Sequence, residues 1–164
     1  MSELTQVLGR IERAGDDVAV VFDRHYDTSP ADLWQACTDP ERLARWFAPV
    51  SGDLRTGGAF TVHFDDADTP LCRVVACEAP TRLVWEWPVG GVDSVVTVDI
   101  APDDDGARLL LRHERLTGAQ VAGYAAGWDT YVRSLDAHLA GGPGPDWGVT
   151  WSALHELYAA AGPS

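Results

Sequence analysis

The spacing of apolar and polar positions changes period along the chain, and each change marks a class of element. Gln6–Arg13 and Val18–Tyr26 read as strands, with Ala14-Gly15-Asp16-Asp17 as the hairpin turn between them. Ser29-Pro30 then supplies an N-cap followed by proline at the first helical position, and Leu33, Trp34, Ala36 and Cys37 give that helix an apolar face. Asp39-Pro40-Glu41 repeats this grammar, opening a second short helix through Leu43, Trp46 and Phe47 that Pro49 stops. Period-two stretches rich in β-branched and aromatic residues follow at Ala59–Phe64, Leu71–Glu78, Leu83–Trp87, Asp93–Ile100 and Ala107–Arg115, with breaks at Gly, Pro or Asp. Strands joined by turns this short predict an antiparallel meander.

From about Gly118 the period becomes helical. Val121, Tyr124, Trp128, Val132, Leu135 and Leu139 recur at three- and four-residue spacing on one face of a long helix, which Gly141-Gly142-Pro143-Gly144-Pro145 ends. Residues 147–161 read as a short terminal helix with Trp151, Leu154 and Tyr158 on one side. Strands, two short helices, more strands and a long helix predict an α+β fold: a curved antiparallel sheet with the amphipathic helix across it, each burying the other's apolar face. One domain over residues 1–164 is expected, with a core at about 6–140 and a Gly/Pro linker and helix after it. A chain of 164 residues is long enough to bury a sizeable core.

Composition narrows the partners. Lys+Arg 12 against Asp+Glu 25 gives a net charge of −13, which repels phosphate backbones and anionic lipid surfaces. Neither nucleic acid nor membrane is therefore an expected partner. The acidic runs Asp16-Asp17, Asp65-Asp66-Ala67-Asp68 and Asp103-Asp104-Asp105 fall where turns are expected. Cys37, Cys72 and Cys77 form no C-x-x-C or zinc spacing, and the first 17 residues are too polar for a signal peptide, so a cytoplasmic location is expected.

Candidate chemistry centres on Arg82-Leu83-Val84-Trp85-Glu86-Trp87-Pro88. In a strand, Trp85 and Trp87 share one face and Glu86 takes the other. The indoles are then either solid core or the wall of a cavity, and sequence alone leaves both open. Phe60, Val62, Phe64, Leu109, Leu111 and His113 share the inward parity on their strands, while His63 faces outward. Tyr124, Trp128 and Tyr131 approach from the long helix, where Gly123 and Gly127 permit close approach of sheet, ligand or partner. His113 reads as a polar anchor, a proton carrier or a structural histidine. No nucleophile elbow, dinucleotide fingerprint or P-loop is present, so no catalytic residue, metal ligand or cofactor is assigned.

Several strings together resemble a known family. Ser29-Pro30 through Trp46, Leu54-Arg55-Thr56-Gly57-Gly58-Ala59-Phe60, Cys77-Glu78-Ala79-Pro80-Thr81-Arg82-Leu83, Arg108 through His113, and Gly127-Trp128 look like the activator of heat-shock protein 90 ATPase homologue (AHSA-type) family. This is a branch of the START-like, or SRPBCC, helix-grip superfamily, and the likeness runs from about Gly9 to Tyr158. It implies a sheet wrapped around the C-terminal helix with a hydrophobic cavity between them. Superfamily members bind lipids, hormones and polyketides, and some catalyse cyclisation or hydrolysis. Three roles follow: a carrier or sensor of a hydrophobic or aromatic small molecule, a cyclase- or hydrolase-type cavity enzyme, or a chaperone-interacting co-regulator. The last is the weakest, because eukaryotic activators carry an extra N-terminal chaperone-binding domain for which this chain has no room. The ligand-lining set expected is Trp46, Phe60, Val62, Phe64, Trp85, Trp87, Leu111, His113, Tyr124, Trp128 and Tyr131. The aromatic terminal helix is expected to dock, over an opening, on its own domain or in a homodimer.

Overall fold

A computed structural model describes residues 7–64, 69–89 and 92–161. Its elements run β1 (Arg10–Ala14), β2 (Asp17–Tyr26), α1 (Pro30–Thr38), α2 (Pro40–Trp46), β3 (Val50–Gly52), β4 (Ala59–Val62), β5 (Leu71–Glu78), β6 (Arg82–Val89), β7 (Val92–Asp103), β8 (Gly106–Leu116), α3 (Val121–Ala140) and α4 (Trp147–Ala161). The eight strands form one sheet in the order β1-β2-β8-β7-β6-β5-β4-β3, antiparallel at every pairing. This is the helix-grip arrangement. The expected turn at 65–68 and strand start at Gln6 lie outside the described residues. Three details depart from the expected elements: the first strand starts at Arg10, leaving 7–9 outside it, β3 is an additional strand, and the strand ending at Phe64 stops two residues earlier, at Val62.

Local chemistry places the two short helices. Ser29 Oγ accepts from the Asp32 N–H at 3.0 Å, while Asp39 ends α1 and opens α2 by accepting from the Glu41 N–H at 3.0 Å. These bonds satisfy amide donors that a helix start otherwise leaves unpaired. Arg42 binds the pair together through Asp32 Oδ1 at 2.7 Å, and the buried Trp46 indole donates to the Ala36 carbonyl at 2.8 Å. The chain leaves the sheet at β2, near one edge, and re-enters at β3 on the other edge. The helix pair covers the inner face in between.

Alternation in β8 runs as expected from Leu109 to His113, with Leu109, Leu111 and His113 buried and Arg108 exposed. A bulge then changes the phase. Arg115 takes φ of +65°, and the pairing with β2 shifts between Val18 and Val20, so Leu116 turns inward where unbroken alternation would point it out. Cross-strand pairs such as Arg108–Asp23, Arg82–Asp99 and Arg73–Glu86 lie on the outer, solvated face.

Thr117 and Gln120 open α3 with a reciprocal capping box, each backbone N–H donating to the other's side chain at 3.1 and 3.2 Å. Gly141 closes it in the left-handed conformation at φ +77°. The stripe Val121, Ala125, Trp128, Val132 and Leu135 is buried. Trp128, Val132 and Leu135 meet the sheet's Leu109 and Leu111 across a narrow space. The next face of α3 is covered by α4 through Asp129, a fully buried carboxylate. It accepts from Tyr158 Oη at 2.7 Å, the Leu8 N–H at 2.8 Å and Arg133 Nε at 2.7 Å.

Candidate functional site

Among the described residues, a smaller and a larger space lie between the sheet and the helices. The smaller, about 30 Å³, lies under α2 among Leu43, Phe47, Trp85, Leu109, Leu111, Trp128 and Leu135; it holds little more than one water. The larger is an open cleft of about 500 Å³, inside the range of about 300–1,000 Å³ common for small-molecule sites.

Three layers build the cleft. Trp87 and Pro88 of β6, with Phe64 and Pro70, make the sheet wall; Gly123, Tyr124, Gly127, Trp128 and Tyr131 of α3 make the floor; Trp147 and Trp151 of α4 make the far wall. No charged side chain is among these residues. Trp147 is 41% exposed. It stacks on Trp151 with ring centroids 6.3 Å apart, and Trp151 stacks in turn on His155.

The question raised by the two tryptophans resolves differently for each. Trp85 packs edge-on against Phe60 at 5.8 Å and touches only the small space, so it is core. Trp87, about 7 Å further along the same face, lines the cleft and meets Phe64 at 5.9 Å and Trp128 at 5.6 Å. Phe47 separates the two spaces, stacking on Trp128 at 5.7 Å and lying edge-on to Trp87 and Tyr131.

The expected lining set therefore divides. Phe64, Trp87, Tyr124, Trp128 and Tyr131 come together around the cleft. Trp46, Trp85 and Leu111 border the small space instead, because α2, which carries Trp46, closes directly over the other two. Phe60 and Val62 are buried and line neither space. Pro70, Pro88, Gly123, Gly127, Trp147 and Trp151 were outside that set. The aromatic excess of the terminal helix and the helix-interior glycines were the signals for four of them; the register of α4 on α3 is what sequence did not carry.

His113 also stands away from the cleft, fully buried. The Trp128 indole N–H donates to its Nδ1 at 2.9 Å, and an indole nitrogen can only donate. The ring is therefore neutral with its proton on Nε2, which donates to Ser94 Oγ at 2.7 Å, and the Ser94 hydroxyl donates in turn to the Trp87 carbonyl at 2.7 Å. Burial pushes the His113 pKa down to about 3. Both nitrogens are engaged, so the proton-carrier role has no free lone pair or N–H to work with. What the chain of bonds does is tie Trp128 on the floor to Trp87 on the wall.

Gly123 and Gly127 weaken α3 by about 1 kcal/mol each relative to alanine. A Cβ at 123 would meet nothing within 4 Å, and one at 127 only Trp151 Nε1 at 3.9 Å. Internal packing thus requires glycine at neither position. Among the described residues, no group of three His, Cys, Asp or Glu side chains is arranged to hold a metal ion, and no helix is long and apolar enough to cross a membrane.

A curved sheet gripping a long helix, with an aromatic cleft at its open end, defines a helix-grip protein. More narrowly, the family model for activator of Hsp90 ATPase homolog 1-like proteins matches residues 27–140, and the chain belongs to that family. CalU16 of Micromonospora echinospora is similar over 97% of both chains, at 29% identity and a TM-score of 0.78. DynU16, a protein in the dynemicin biosynthetic locus, is 28% identical with a TM-score of 0.71, over 82% of this chain and 51% of its own. A conserved protein of unknown function from Enterococcus faecalis shares the fold at 12% identity, with a TM-score of 0.78 over 93% of this chain and 89% of its own. A comparison with curated protein sequences found no match.

Proposed function

We propose that this protein binds a hydrophobic, aromatic small molecule in the cleft between sheet, α3 and α4, as a carrier or sensor. The observation that carries this reading is the composition of the cleft: about 500 Å³ walled by tryptophan, tyrosine, phenylalanine and proline, with no charged side chain among the described residues that line it. Burying a ligand there gains area-proportional hydrophobic free energy and ring contacts worth about 0.5–1.5 kcal/mol each. Similarity to a protein in a biosynthetic locus supports a small-molecule role. Of the two proton carriers the enzyme reading would use, His113 has both nitrogens engaged, which leaves Tyr131 in the cleft lining.

Native mass spectrometry of gently purified protein, followed by denaturation to identify any released mass, tests the proposal. A small hydrophobic molecule held by the wild type and lost from a Trp147→Ala, Trp151→Ala double variant is expected. A clean apo mass with nothing gained from a broad hydrophobic library would overturn it. Recovery of heat-shock protein 90 in a low-salt pull-down would then favour the chaperone role that the family's name carries.

A further inference from the structure

Resting on that reading, we infer that Gly123 and Gly127 set the cleft's specificity, leaving along its floor a bare strip of helix backbone that admits planar ring systems and disfavours thick, globular ones. The two glycines stand one helical turn apart on the same face. Both line the cleft, and Tyr131, one turn further, closes the strip.

Three observations converge on this role. Space is available above both positions, because a Cβ would meet nothing at 123 and only an ordinary contact at 127. Neither glycine takes the left-handed conformation that would demand it. The rings at the margins are held in place: Trp151 donates to the Gly123 carbonyl at 3.2 Å, and Trp128 is fixed by His113 at 2.9 Å. A strip of floor without side chains, flanked by the rings of Tyr124, Trp128 and Trp151, is a slot, and a flat polycyclic ligand fills a slot with ring contact on several sides. Among the described residues the same lining offers no cationic partner to an anion, and the net charge of −13 repels one. The ligand class is therefore a neutral, planar, polycyclic aromatic.

Isothermal titration with 9-anthracenemethanol as the planar probe and 1-adamantanemethanol as the globular one tests the assignment on the full chain. The wild type is expected to bind the planar probe at least tenfold more tightly. Gly123→Leu and Gly127→Leu are expected to weaken the planar probe at least tenfold. Gly123→Ala and Gly127→Ala weaken it less while raising Tm by about 2–4 °C, which shows that the loss does not come from unfolding. If the wild type binds both probes equally, or the leucine variants bind the planar probe as the wild type does, the glycine floor is refuted while the cleft stands as a binding site. If the wild type binds neither probe, the planar specificity is refuted, and the native mass spectrometry decides the proposed function separately.

Discussion

At the scale of single residues, neighbouring aromatics divide between stability and binding. Trp85→Ala opens a hole in packed core and is expected to cost about 3–5 kcal/mol, read by urea denaturation. Trp147→Ala, at a half-exposed ring on the cleft wall, is expected to cost under about 1 kcal/mol and to weaken 9-anthracenemethanol by at least fivefold. The reverse pattern would place the ligand inside the sheet. His113 gives a pH signature. Its folded pKa of about 3 lies below the unfolded value of about 6.5, so the unfolded chain takes up the extra proton between the two. Its contribution is complete above about pH 6.5 and is lost as pH falls toward 3. His113→Phe leaves the Trp128 indole N–H unpaired and removes one of Ser94's two bonds, at about 1–3 kcal/mol near neutral pH. The gap between wild type and variant is expected to narrow by up to roughly 1.4 kcal/mol per pH unit below about pH 6. Parallel stability curves would show that the ring titrates normally.

At the scale of elements, α4 is fastened at one end and serves the cleft at the other. Leu154 at its middle and Tyr158 in its last turn are buried, and Tyr158 joins Asp129 and the Gly9 N–H. Trp147 and Trp151 project from its first turns over the cleft. Tyr158→Phe removes one bond to a buried carboxylate and one from a backbone amide, so a loss of about 1.5–3 kcal/mol is expected. Faster hydrogen exchange across residues 147–161 should accompany it; unchanged exchange there would mean that Leu154 and the tryptophans hold the helix unaided. Sequence carried the elements well because their signals are local: the Ser29-Pro30 and Asp39-Pro40 caps, the period-two runs, and the long stripe of α3. It missed β3, three residues too short to show a period. It also missed the role of Asp129, since burial of a carboxylate depends on Tyr158 and Leu8, far away in the chain. The inward parity of Phe60, Val62 and His113 was legible. Which inward residues meet empty space was not, because that follows from how α2 closes over one end of the sheet and leaves the other open.

At the scale of the whole molecule, charge and shape act together. The outer face of the sheet is laced with exposed ion pairs, each worth little on its own, while the net charge of −13 sets a field that any ligand must cross. Anthracene-9-carboxylate is therefore expected to bind more weakly than 9-anthracenemethanol, and the difference should shrink as salt rises and screens the field. A salt-independent difference would trace it to local contacts alone.

The central claim, a ligand seated against Trp87, Trp147 and Trp151, is tested most directly by two-dimensional NMR of the seven tryptophan indole N–H groups during titration with 9-anthracenemethanol. Saturable shifts at Trp87, Trp147 and Trp151, with Trp46 and Trp85 unmoved, are expected. Shifts confined to Trp46 and Trp85, or none at all, would contradict the account.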